Sequence, residues 1–203
     1  MRIVGGHFRS RKLAAPRDLD LRPTSDRLRE TLFNILANGV AGSTFVDAYA
    51  GTGAVGIEAL SRGARHAIFI ERHAASVELI AKNLRALKIP FEDCEKDPAD
   101  SGGGTGSEII GQASIVTMDA VRALKKLAAA GVRADYIFGD PPYAEDHRLH
   151  SLLKFVSESQ LLAPGGLAIA EHSSRKALPE NFGTLRRIRV ATQGDSALSF
   201  FAF

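Results

Sequence analysis

Two hydrophobic rhythms alternate along the chain. Short apolar runs suit strands buried on both faces, and longer stretches with apolar positions every three or four residues suit helices packed by one face. From residue 44 onward, TFVDAYA, HAIFIE, ASIVTMD, ADYIFGD and LAIAEHS read as strands. Between them lie AVGIEALSRG, closed at Gly63, then HAASVELIAKNLRAL, AVRALKKLAAAG and DHRLHSLLKFVSESQLL, which ends at a PGG turn. The second of these helices carries Val77, Ile80, Ala81, Leu84 and Leu87 on one face. Upstream, LRPTSDRLRETLFNIL predicts a helix capped by Thr24 or Ser25, with Asp26 in its first turn. Leu28, Leu32, Ile35 and Leu36 form its apolar stripe, and Gly39 stops it. The tail changes character: TLRRIRVAT and SALSFFAF flank a QGD turn and read as an antiparallel hairpin.

Strands alternating with helices imply the α/β class, with a doubly wound, mostly parallel seven-stranded sheet closed by the antiparallel hairpin. Two regions fall outside this rhythm. Residues 1–22 read as an extended or hairpin-like arm, which divides the chain into an extension over 1–22 and a Rossmann-like domain over 23–203. Residues 92–111 interrupt the domain with a Gly-rich stretch containing GGGTG. That stretch neither follows an apolar strand nor opens a helix with Lys-Ser or Lys-Thr, so it is expected to be a mobile insertion without function, not a phosphate loop.

At 203 residues the chain suits one domain with a substantial core. No apolar run approaches the roughly 20 residues that cross a membrane, and the N-terminus lacks an apolar signal core. The single cysteine, Cys94, sits among acids in FEDCEKD and has no internal disulfide partner. A cytoplasmic protein without a membrane partner is expected. Charge is uneven: five Lys or Arg and no acid lie between Met1 and Arg17, within a net charge of only +3. Such an arm suits a polyanion such as nucleic acid, and it equally describes a solvated leader. The six histidines are scattered without ligand spacing, so no metal site is expected.

The chemistry concentrates at strand ends. DAYAGTGAVG, from Asp47 to Gly56, follows an apolar strand and opens a helix. Ala50, Gly51, Thr52 and Gly53 let a ligand approach backbone and helix N-terminus without a Cβ clash. Glu71, twenty residues after Gly51, is placed to accept from ribose hydroxyls. NAD, FAD and S-adenosylmethionine all satisfy these features. Asp47 tilts the choice, because a carboxylate repels a pyrophosphate but favours the cationic sulfonium and amine of S-adenosylmethionine. Asp119 of VTMDA, beside Ala120, is placed to accept from the adenine amine, or to cap the next helix, or both. Asp140-Pro141-Pro142-Tyr143 follows the fourth strand and faces the same crevice. Two prolines stiffen the loop and remove donors, leaving Asp140 and the Pro141 carbonyl as acceptors for an exocyclic nucleobase amine. Holding both N–H groups aims the nitrogen lone pair at the donor methyl, and Tyr143 offers a face for stacking the base.

RIVGGHFRSRKL, LRPTSDRLRETLFN, DAYAGTGAVGIEALSRG, IFIE and DPPY, in this order, resemble the bacterial small-subunit ribosomal RNA guanine-N2 methyltransferases of the RsmD family. The resemblance spans nearly the whole chain. It implies a class I methyltransferase fold and methyl transfer from S-adenosylmethionine, giving S-adenosylhomocysteine, to one guanine of 16S rRNA. The expected enzyme is a monomer acting on a small-subunit particle. The resemblance also implies cofactor contacts from the glycine turn, Glu71 and Asp119, and makes Asp140 to Tyr143 the amine-holding loop. The arm then looks like an RNA-gripping hairpin with His7, Arg9, Arg11, Lys12 and Arg22 as contacts. Arg27 and Arg29 are assigned to the polar face of the first helix. Ser10 stands where relatives commonly have glycine, and Arg72-His73 stands where many have an acid or amide. Rival readings are a DNA adenine-N6 or cytosine-N4 methyltransferase, a dinucleotide oxidoreductase, and an RNA-binding assembly factor without catalysis.

Overall fold

A computed structural model of the chain describes residues 1–15, 25–93, 111–142 and 146–203. Arg22, Cys94, Tyr143 and nearly all of the Gly-rich insertion lie outside these residues. The helices are α1 (Asp26–Leu36), α2 (Ala54–Ser61), α3 (Ala74–Ala86), α4 (Ala120–Ala129) and α5 (Asp146–Glu158). The strands are β1 (Thr44–Asp47), β2 (His66–Glu71), β3 (Phe91–Asp93), β4 (Gln112–Thr117), β5 (Ala134–Gly139), β6 (Leu162–Ser173), β7 (Asn181–Phe182), β8 (Leu185–Gln193) and β9 (Ser196–Ala202). They form one sheet in the order β3-β4-β2-β1-β5-β6-β9-β8-β7. The first six of these pair in parallel, and β9 is antiparallel to both β6 and β8.

Seven strands of this sheet are those the hydrophobic rhythm predicts. The other two, β3 and β7, are edge strands of three and two residues. Phe91–Asp93 is therefore a strand and not the start of the insertion. Its two acids hide it from a propensity argument, while pairing with Ala113–Ile115 of β4 holds it. The order reverses at β1, which lies between β2 and β5. Open α/β sheets bind ligands at that reversal, beyond the strands' carboxyl ends.

One face of the sheet is covered by α4 and α5, with Val46, Ile68, Ile70, Leu124, Leu149 and Leu152 in its core. The other is covered by α1, α2 and α3. Ser25 caps α1 by accepting from Leu28 N at 3.1 Å. Leu28, Leu32, Phe33 and Leu36 fill the buried side of α1, whereas Ile35 is only half-buried.

Arg29, assigned above to the polar face, is fully buried instead. Its Nη2 donates to Asp26 Oδ1 at 2.9 Å and to the Arg2 carbonyl, and its Nε lies 3.6 Å from Glu58 Oε2. Glu58 of α2 is buried too; its Oε1 accepts from Gly5 N at 2.7 Å and Arg62 Nε at 2.9 Å, and its Oε2 from Val4 N at 2.9 Å. The partner lies 29 positions away, so helix periodicity alone could not place this arginine.

These bonds tie down the N-terminal arm. A lone antiparallel bridge joins Arg2 to Lys12, and Ile3, Phe8 and Leu13 bury themselves against α2 and α3. Each such burial is worth about 1.5–3 kcal/mol, which removes the solvated-leader reading for residues 1–15. His7 N donates to the Ser61 carbonyl at 2.7 Å and Phe8 N to Ser61 Oγ at 2.9 Å. Gly6 passes so close that a Cβ would sit 1.9 Å from the Ser61 oxygen. Ser10 has φ 68°, the left-handed conformation that glycine adopts without strain, at a cost of roughly 1–2 kcal/mol.

Candidate functional site

A cavity of about 510 Å³ opens at the carboxyl ends of β1, β2, β5 and β6, within the usual range for cofactor sites. Its walls include Asp47, Ala50, Gly51, Glu71 and Ala120 on one side and Asp140, Pro141 and Pro142 on the other. Eight sequence-derived candidates therefore meet in one crevice. Gly53 and Asp119 are not among the lining residues. Gly53 is the N-cap of α2, with φ 77°, and Gly51 has φ 51°; both values favour glycine at this turn. Asp119 caps α4, accepting from Arg122 N at 3.4 Å, with its Oδ2 3.8 Å from Arg148 Nη1. The capping alternative for Asp119 is thus realised in the structure.

Asp47 is 1 % exposed, and its Oδ2 accepts from Gly56 N at 3.0 Å. It satisfies an N–H of the first turn of α2 that has no partner within the helix. Burial pushes its carboxyl up to about 7; the Gly56 bond opposes this and the Glu71 charge adds to it. A carboxyl raised from 3.8 holds its proton in the folded chain where the unfolded chain has released it. Stability from this group is therefore present below about pH 4 and lost as pH rises to 7, a span worth on the order of 4 kcal/mol. Asp47→Asn keeps an acceptor for Gly56 but not the charge. It is expected to gain stability over the parent between about pH 5 and about pH 8. Denaturant unfolding at the two pH values reads this, and parallel curves for the two proteins would contradict it.

Glu71 is buried at the end of β2, and its carboxylate is already engaged. Oε1 accepts from Arg72 N and His73 N, each at 2.8 Å, and Oε2 accepts from Gly51 N at 2.9 Å. Each carboxylate oxygen has about two acceptor positions, so Oε2 is the atom with room for a ribose hydroxyl. The Arg72 and His73 side chains meet at 3.1 Å beside it. Glycine turn, acid and strand end are thereby locked together by the chain's own hydrogen bonds.

On the opposite wall, Asp140 is half-buried, Pro141 is buried and Pro142 is exposed. Tyr143 lies outside the described residues. The structure adds residues that sequence reasoning misses: Glu171 at the β6 end, Arg148 of α5, Ser25, and the β8–β9 turn from Gln193 to Ser196. Glu171 follows Ala170, the register partner of Gly139, so it sits beside Asp140. One signal points to it: Asp47, Glu71, Asp140 and Glu171 all end apolar runs with an acid.

The arm reaches this crevice from the other side. Met1 Sδ lies 3.7 Å from Thr52 Oγ1 of the glycine turn. Asn83 Nδ2 bridges the Thr52 and Ala14 carbonyls, each at 3.2 Å. His7, Arg9, Arg11 and Lys12 are exposed on the arm, and Arg22 is outside the described residues.

The chain matches, over residues 1–202, the family model described as conserved hypothetical protein 95. It is 35% identical to Ribosomal RNA small subunit methyltransferase D of Escherichia coli strain K12, over 95% of this chain and 86% of that protein. The chain belongs to the RsmD family. A solved structure of a hypothetical protein from Thermus thermophilus superimposes with TM-score 0.75 and 29% identity, over 98% of both chains. The fold alone is shared with the Thermus thermophilus 16S rRNA N2 G1207 methyltransferase RsmC, solved with AdoMet and guanosine. There the TM-score is 0.64 at 22% identity, over 98% of this chain and 48% of that one. The RsmD-family chain is thus a class I methyltransferase fold, with its glycine turn and its Asp-Pro-Pro loop facing each other across one crevice.

Proposed function

We propose that this protein transfers the methyl group of S-adenosylmethionine to the exocyclic N2 amine of a guanine in 16S ribosomal RNA. The observation that carries the reading is the placement of Asp140, Pro141 and Pro142 across a single cavity from Gly51 and Glu71. The similarity to small subunit methyltransferase D over nearly the full chain supports rRNA as the substrate. The donor's adenosine lies along the Gly51 turn and Glu71, with Oε2 toward the ribose. Its cationic centre favours an ionised Asp47.

Asp140 and the Pro141 carbonyl accept the two N2 hydrogens, which turns the nitrogen lone pair toward the methyl carbon. The nitrogen–carbon bond forms as the carbon–sulfur bond breaks, leaving S-adenosylhomocysteine and a proton on nitrogen that departs to a carboxylate or water. Positioning carries the rate, with no covalent enzyme intermediate. Tyr143 is assigned to stack the base. The arm, through His7, Arg9, Arg11, Lys12 and Arg22, grips phosphates of the RNA beside the crevice. This activity belongs in the cytoplasm, on a small-subunit particle.

Labelled donor supplied with 16S rRNA, small-subunit particles or DNA separates this reading from its DNA rival; label in DNA and not in RNA would overturn it. The triple variant Arg9→Ala, Arg11→Ala, Lys12→Ala is expected to weaken rRNA binding and to lower its log–log salt slope by roughly 2–3, one phosphate per cation. An unchanged slope would remove the arm from the RNA contact.

A further inference from the structure

The outer end of the sheet carries a second, unexplained surface. β8 reads LRRIRVATQ, with three arginines and no acid. Its neighbour β7 pairs with Leu185 and Arg186, and Arg187 N donates to the Glu180 carbonyl at 2.8 Å; past Arg187 its outer edge has no strand beside it among the described residues. Among those residues, the exposed large apolar side chains are Ile188, Val190 and Phe203, all on β8 or just past its β9 partner. Arg187 is used locally, donating to the Leu178 carbonyl at 2.7 Å with Glu180 at 3.5 Å.

Arg186 and Arg189 are different. They pair in register with Ala202 and Phe200, and an irregularity between Arg187 and Arg189 places both on one face. Residues directly opposite on paired strands share a face. Phe200 is buried in the α1 core, so both arginines project from the sheet face that α1 covers; the arm packs on that same face but at the other end of the sheet, over β2 and β4. The strand then runs into Gln193–Ser196, which lines the cavity beside Asp140. Thr31 of α1 fixes that end, donating to Gln193 Oε1 at 3.1 Å. From β5 to β8 is three strand spacings, about 14 Å.

We infer that Arg186 and Arg189, with Ile188 between them, form a second RNA-binding surface that grips the substrate strand on the side of the crevice opposite the arm. This rests on the proposed RNA substrate. Arg189 stands four residues, about 13 Å, before Gln193 at the cavity, and Asp195 in the turn that follows is paired with Arg175, so the two arginines offer cationic groups to phosphates on the flank of the crevice. Self-association along the same edge would bring the arginines of two copies together, which like charges oppose.

The test compares the parent with Arg186→Ala/Arg189→Ala, Arg186→Lys/Arg189→Lys, and Lys154→Ala, an exposed cation of α5 on the far face. Binding of a 16S rRNA transcript is measured against salt, alongside donor affinity, thermal melting and sedimentation. The double alanine variant should bind the transcript roughly tenfold more weakly and lose about 1.5 from the salt slope, with donor affinity and melting unchanged. The lysine pair should keep the slope, and Lys154→Ala should match the parent. An unchanged slope in the double alanine variant overturns the inference. So does unchanged RNA binding with a dimer-to-monomer shift, which would assign the edge to a second copy. A parent that shows the arginine-dependent slope but methylates no guanine keeps this surface and removes the proposed reaction. A parent that methylates normally, with variants that bind like it, does the reverse.

Discussion

Asp140→Ala is expected to lower methyl transfer roughly 10³-fold while leaving donor affinity close to that of the parent. The side chain stands on the acceptor wall, at the end of β5, away from the Gly51 turn and Glu71 that take the adenosine. Removing it deletes one of the two acceptors that hold the amine, and the lone pair then samples directions away from the methyl carbon. Asp140→Asn refines the claim. An amide oxygen still accepts a hydrogen bond but takes up a proton far less readily than a carboxylate. Substantial activity in Asp140→Asn therefore supports positioning, whereas a loss equal to that of alanine would show that Asp140 acts as a base. Single-turnover rates and donor titration give both quantities.

Glu58→Ala is expected to destabilise the fold by about 3–5 kcal/mol and to lower the melting temperature by roughly 6–20 °C. Glu58 balances Arg29 inside the protein and holds the amides of Val4 and Gly5. Arg29 Nε and Nη1 have no hydrogen-bond partner among the described residues, so the Glu58 charge is what compensates that side of the guanidinium. Without it, the buried guanidinium keeps only the half-buried Asp26 as counter-charge, its Nε side faces no acid, and two arm amides lose their acceptor. Glu58→Leu/Arg29→Met should recover much of the lost stability, because an apolar pair removes the stranded charge. Hydrogen exchange should still report an exposed arm at Val4 and Gly5 in that double variant. A melting temperature within a degree or two of the parent for Glu58→Ala would contradict the clasp.

Where local rules govern the sequence, the structure follows them. The alternation of buried strands and one-faced helices locates every central element, and the Asp-Pro-Pro loop and glycine turn fall opposite each other because parallel strands share a carboxyl end. What local patterns do not show arises from pairings outside them. Arg29 looks solvated until Glu58 of α2 supplies a buried second counter-charge besides Asp26. Asp47 reads as a cofactor acid, but its carboxylate is also committed to the Gly56 amide across the turn. Glu171 ends an apolar run as the other acids do, but its place beside Asp140 emerges from the β5–β6 register. β3 is too short and too acidic to announce itself, and exists because β4 offers an edge.

Mapping the labelled nucleotide tests the central claim most directly. After incubation of the protein with methyl-labelled S-adenosylmethionine and small-subunit rRNA, the RNA is digested to nucleosides and the labelled species identified by mass spectrometry. The expected product is N2-methylguanosine at a single position, abolished in Asp140→Ala. Label on an adenine or cytosine amine, on a ring carbon or on ribose, or an equal yield from Asp140→Ala, would contradict it.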